Sequence, residues 1–181
     1  AVSTSNTKAL CGTPQWTTAL IATLVPWSVV FGVCLVVLMF FPGWLTPFAN
    51  TAGYLVTLMT GGTSFIDELL KKKSSGEIQE AIANIYSDKS LFLNQIPWSA
   101  TEFVGFWKES KPLFSAKAEA EISAASGPGG DTEFAARLLE DTTSLAARAF
   151  HFARVRQYVS LFIWYCFAGT LSLAASYALA A

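Results

Sequence analysis

The chain has 181 residues, 12 Lys plus Arg against 13 Asp plus Glu, a net charge of -1, 52% apolar residues and only 14% charged. The charges are segregated: Lys8 is the first and Asp67 the second, and none follows Arg156, so all but one lie between residues 67 and 156. That middle stretch has the charge density of an ordinary globular piece. The flanks do not, which excludes a uniform soluble domain, a basic nucleic-acid binder and a disordered acidic tail.

In chain order, residues 1–19 form an N-terminal segment and Leu20 to Phe41 a 22-residue stretch without charge. At about 1.5 Å per residue it reaches roughly 33 Å, enough to cross a hydrocarbon core of about 30 Å. A cleaved secretory signal fits it less well, because the apolar run is long, only Lys8 precedes it, and Pro42-Gly43-Trp44 comes next where small residues would be cut. Pro42-Gly43 and Thr46-Pro47 then turn the chain. Residues 42–66 read as this turn plus an interfacial or re-entrant segment, since Phe48 to Thr60 makes only about 20 Å of helix. Pro42, Gly43, Trp44 and Pro47 form the interfacial turn, with Asn50 as a candidate cap for the next helix.

Residues 67–131 read as water-facing helices. Ser64 and Asp67 resemble one capping box, Ser99 and Glu102 another. Ile78, Ile82, Ile85 and Tyr86 share a helical face, as do Phe103, Phe106 and Trp107, and the alanine-rich 113–126 stretch is helical by propensity. No run alternates long enough for a strand. Ser126 to Gly130 is a flexible joint, after which Asp131 or Thr132 caps a helix. Phe134, Leu138, Leu145, Ala149 and Phe152 keep one apolar side, and no Pro or Gly intervenes before Gly169. One unbroken helix over 132–180 is therefore predicted, about 73 Å long, with 132–157 outside the bilayer and 158–179 as the second span. The predicted fold is all-α: an integral membrane protein with two transmembrane helices, a short interfacial or re-entrant helix and a helical middle segment.

Lys71, Lys72, Lys73, Arg148, Arg154 and Arg156 flank the spans on the middle segment's side and only Lys8 lies opposite, which places that segment on the cytoplasm-like face. Lys71, Lys72, Lys73, Arg154 and Arg156 double as candidate contacts for lipid head groups. Trp16, Trp44, Tyr54 and Tyr158 suit an aromatic belt, while Trp27 and Trp164 are deep enough to pack against protein. Small residues at Ala168, Ser172, Ser176 and Ala180, and at Ser28 and Gly32, offer ridges on which another helix can pack closely.

No catalytic, cofactor or metal site is legible. His151 is the only histidine, Cys11, Cys34 and Cys166 lack metal spacing, and neither a P-loop, a GxGxxG nor a GxSxG occurs. His151 reads as a structural residue and the cysteines as small apolar ones. Uncharged spans argue against conduction.

Residues 26–56, PWSVVFGVCLVVLMFFPGWLTPFANTAGYLV, with Pro26, Trp27, Pro42, Gly43, Trp44, Pro47, Phe48, Asn50, Thr51, Gly53 and Tyr54 as the recognisable positions, resemble small membrane proteins of large icosahedral DNA viruses of algae and amoebae. The resemblance implies a minor capsid-associated protein of the virion's internal membrane, lying under the shell, without catalytic residues. The function expected is a structural protein tying a proteinaceous shell or assembly to a bilayer. Its partners are lipid and other protein subunits, with no nucleic acid, small-molecule substrate or cofactor. The alternatives are an accessory subunit of a respiratory or photosynthetic complex in an organellar inner membrane, and a small oligomeric channel.

Overall fold

A computed structural model describes residues 16–72, 74–125 and 130–180. No strand occurs among its described residues, which are mostly helical, and the one trace of extended pairing is an isolated antiparallel bridge between Leu70 and Phe114. Among the described residues two helices are long and apolar enough to cross a membrane, Trp16–Phe40 and the stretch Leu145–Leu179. The chain divides into two units, residues 1–46 with 160–181, and residues 47–159.

In the first unit, α1 (Trp16–Phe40) tolerates Pro26 inside it and stops where Phe41 leaves helical geometry ahead of Pro42. A 3-10 turn, Pro42–Leu45, comes next. The unit's other helical stretch is the C-terminal part of the chain's last helix.

The second unit opens with an α turn, Thr46–Phe48, whose last two residues belong to it, and a π-helical turn, Ala49–Gly53. Then come α2 (Tyr54–Met59), α3 (Gly62–Leu69), α4 (Glu77–Ser87), α5 (Ser90–Leu93), α6 (Ala100–Glu109), a 3-10 turn at Lys111–Leu113, α7 (Ala116–Ala125) and α8 (Gly130–Glu140). The last helix, α9 (Leu145–Ala180), begins in this unit. Its core is aromatic: Phe65, Phe103, Trp107 and Phe114 are fully buried, and Trp107 lies 5.4 Å from the Phe103 ring and 4.4 Å from that of Phe114. Burying such rings supplies most of the driving force for a unit this small. The predicted faces are recovered in part: Ile82 and Ile85 are buried on α4 and Phe103 and Trp107 on α6, while Ile78 and Phe106 are half-buried and Tyr86 is exposed. Leu138, Leu145, Ala149 and Phe152 are covered by the same core.

Three local expectations change. Gly61, at φ +100°, holds the N-cap position of α3, so Ser64 lies inside that helix instead of capping it. Ser99 does stand at the N-cap of α6, in extended geometry, but its side chain makes no capping bond. Gly130 opens α8, which leaves Asp131 in the first turn, paired with Lys108.

The fourth change is larger: 132–180 is two helices. Asp141 accepts from the Thr143 amide and hydroxyl, each at 2.8 Å, and from the Ser144 amide at 3.3 Å. Ser144 Oγ then accepts from the Ala147 amide at 3.2 Å, an N-cap for a new helix. The carboxylate of Glu121, from α7, accepts from the amides of Leu145 and Ala146, both at 3.0 Å. Side-chain acceptors thus take the amides that a continuous helix would use. The unbroken strut is the 36 residues of α9, about 54 Å.

Candidate functional site

In the first unit the uncharged part of α9 makes aromatic contact with α1 and polar and aromatic contacts with the 3-10 turn that follows it. Trp164 stacks on Trp44 at 5.7 Å and donates Nε1 to the Trp44 carbonyl at 3.0 Å. Ser160 Oγ donates to the Leu45 carbonyl at 2.5 Å. Trp27 stacks on Phe31 at 5.1 Å, and Phe31 meets Tyr165 at 6.2 Å. The turn residues Pro42, Gly43, Trp44 and Pro47 are all exposed, and Trp44 is held by Trp164. An apolar groove of about 410 Å³ runs beside this corner, lined by Val30, Val33, Val37, Trp44, Trp164 and Leu171 among others.

The ridge residues separate into two groups. Ala168, Ser172 and Ser176 are buried, with Ser172 Oγ donating to the Ala168 carbonyl at 2.7 Å and Ser176 Oγ to that of Ser172 at 2.8 Å. Their hydroxyls are thereby satisfied inside the helix. A Cβ at the neighbouring Gly169 would come within 4.0 Å of Trp27 and Phe31, so this side of α9 meets α1 of the same chain. Ala180's surroundings fall outside the described side chains. Ser28 is exposed, and a Cβ at Gly32 would meet nothing within 4 Å. Gly32 therefore makes no close approach among the described residues.

The proposed head-group cations are also sorted by the structure. Lys72 is exposed, and Lys73 lies outside the described residues. Lys71 is half-buried and pairs with Glu119 at 2.7 Å, a contact that holds the Glu119 carboxyl below its ordinary range. Arg156 is a correction. It is 5% exposed, donates to Asn94 Oδ1 at 2.8 Å and to the Ile96 carbonyl at 2.9 Å, and so is occupied inside the second unit, where a head group does not reach it. Its Nε is buried without a partner among the described residues. Arg154 stays available, its guanidinium over the Phe150 and Tyr158 rings and donating to the Tyr158 hydroxyl.

Three polar residues that carry the second unit gave no signal in the sequence. Glu68 accepts from Lys117 at 2.7 Å and Arg148 at 2.5 Å, and these donors lower its pKa, Lys117 first. Arg148 also lies over Phe65, 5.4 Å from the ring centre. Glu121 caps α9 and Asn94 holds Arg156, and both partners lie far along the chain. Among the described residues no cluster of His, Cys, Asp and Glu is placed to hold a metal ion. His151 is exposed, Cys34 half-buried and Cys166 exposed, and Cys11 lies outside the described residues. No family model matches the chain, and neither a curated protein nor a solved structure does.

Proposed function

We propose that the chain is a structural membrane protein that ties a bilayer to a proteinaceous assembly, with no catalytic step of its own. One observation carries the reading: the described residues of the first unit expose large apolar side chains all along their length, among them Leu20, Val29, Val33, Phe40, Phe162 and Leu171. A contiguous apolar exterior of that size needs lipid or protein over it. The second unit has instead a closed aromatic core and carries the ion pairs, as a water-facing body does. The cationic side chains near the apolar stretches favour a cytoplasm-like location for that body. The resemblance of residues 26–56 supports the internal membrane of a virion as the setting and minor capsid proteins as the partners.

The test is carbonate extraction followed by gentle detergent solubilisation and identification of the proteins that co-purify. The reading expects retention in the membrane pellet and recovery with shell or scaffold subunits. Turnover or transport by the purified protein in liposomes overturns it. The groove beside Trp44 and Trp164 favours a second reading, an accessory subunit of a respiratory or photosynthetic complex, because an apolar trough suits a neighbouring subunit or an isoprenoid tail. Recovery with haem- or pigment-bearing subunits selects that reading.

A further inference from the structure

Just before its uncharged stretch, α9 borders a cleft of about 320 Å³ rimmed by Asp141, Thr142, Arg148, His151 and Arg154 over the ring of Phe150. These groups are not equally engaged. Arg148 is bound to Glu68, and Asp141 turns its oxygens to Thr143 and Ser144. Arg154 has no carboxylate within 4 Å among the described residues, and its guanidinium sits 5.8 Å from the Phe150 ring centre and 5.4 Å from that of Tyr158. The Tyr158 hydroxyl takes one of its five N–H groups. His151 and Thr142 are exposed on the same rim. A guanidinium held in place by two rings, an imidazole and a hydroxyl therefore line one cleft.

We infer that this cleft binds a phosphate monoester group. A planar guanidinium presents paired N–H donors that match two phosphate oxygens, and ring stacking reduces the freedom it must give up to do so. His151 and Thr142, on the same rim, offer donors for a third oxygen, which a carboxylate does not have. The apolar floor at Phe150 lowers the local dielectric and strengthens the charge-assisted bonds. The lipid form of the ligand rests on the proposed membrane function. Arg154 and His151 precede Tyr158 by four and seven residues, about 6 and 10 Å along the axis. The polar layer of one leaflet is roughly 5–7 Å thick. With Tyr158 at the hydrocarbon edge, Arg154 falls within that layer and His151 on its aqueous side, so the cleft opens toward the lipid phosphates.

Native mass spectrometry of the full chain in detergent tests this, with added phosphatidic acid, phosphatidylcholine or inorganic phosphate. One phosphatidic acid is expected to stay bound, at least fivefold above phosphatidylcholine. Arg154→Gln and His151→Gln should each cut that retention severalfold, and Arg154→Lys should recover part of it. Displacement of the lipid by millimolar inorganic phosphate supports the site and identifies the phosphate itself as the recognised group. Equal retention of the two lipids, or a double Arg154→Gln, His151→Gln variant that binds like the wild type, overturns it. A carbonate-soluble chain that still binds inorganic phosphate defeats the membrane reading and leaves the cleft standing. An embedded chain with no preference defeats the cleft alone.

Discussion

Gly53 rests directly on the backbone of Arg156: a Cβ added there would stand 2.8 Å from the Arg156 Cα and 2.9 Å from its carbonyl oxygen. Both neighbours are main chain of α9, so neither can swing aside. The π-helical turn that ends at Gly53 presents this residue to α9. Gly53→Ala should cost about 1–3 kcal/mol by overpacking. Chemical unfolding in detergent, followed by tryptophan fluorescence, measures it, and an unchanged midpoint means the turn is free to back away.

Arg156 itself is held through two neutral acceptors on the 94–96 loop. Arg156→Ala leaves Asn94 Oδ1 and the Ile96 carbonyl without their charged donor, at a cost of about 1.5–3 kcal/mol. Arg156→Lys should restore little, since one ammonium replaces a fork that spans both acceptors. If the lysine variant unfolds at the wild-type midpoint, the fork geometry is irrelevant.

The ridge of α9 gives a paired comparison. Ser172 is fully buried, and Ser172→Leu should destabilise the α1–α9 pair by about 1–3 kcal/mol. Gly32→Leu projects into open space and should leave unfolding nearly unchanged. Equal losses at the two sites, read from thermal unfolding in detergent, would show that Gly32 also packs against a neighbour.

Asp141 sets the break between α8 and α9, and its bonds to Ser144 and Thr143 hold its carboxyl far below the ordinary range. A depressed folded value contributes stability that is complete above the unfolded value of roughly 4 and is lost as pH falls through the folded value. Asp141→Ala should therefore unfold at a lower temperature than the wild type at pH 7 and equally so at pH 5, the two curves converging only in strong acid. Convergence already at pH 5 contradicts the bonding described.

The features legible in the sequence are those that depend on short-range pattern. The uncharged stretches mark α1 and the latter part of α9, and the spacing of Ile82 with Ile85 and of Phe103 with Trp107 marks faces that are buried. The break at 141–144 was hidden because Asp-Thr-Thr-Ser contains no Pro or Gly. It depends on side-chain acceptors, one of them Glu121 from twenty-four residues away. Arg156 looked like an interfacial cation by position, and only the arrival of Asn94 and Ile96 buries it. The ridge at 168–176 was visible as a pattern, but not that the helix on it belongs to the same chain.

The paired grip of Glu121 on Leu145 and Ala146 gives α9 a fixed origin. The later residues of this helix within the second unit take their azimuth from that point, at about 100° per position. A residue gained or lost at 142–143 leaves that origin in place, at the cost of the Asp141 bonds to Thr143 and Ser144. The same change at 150 would swing Phe152 and Ala153 by over a quarter turn and take them out of the second unit's core. Insertions and deletions among relatives of this chain should therefore collect ahead of Leu145 and spare the helix behind it.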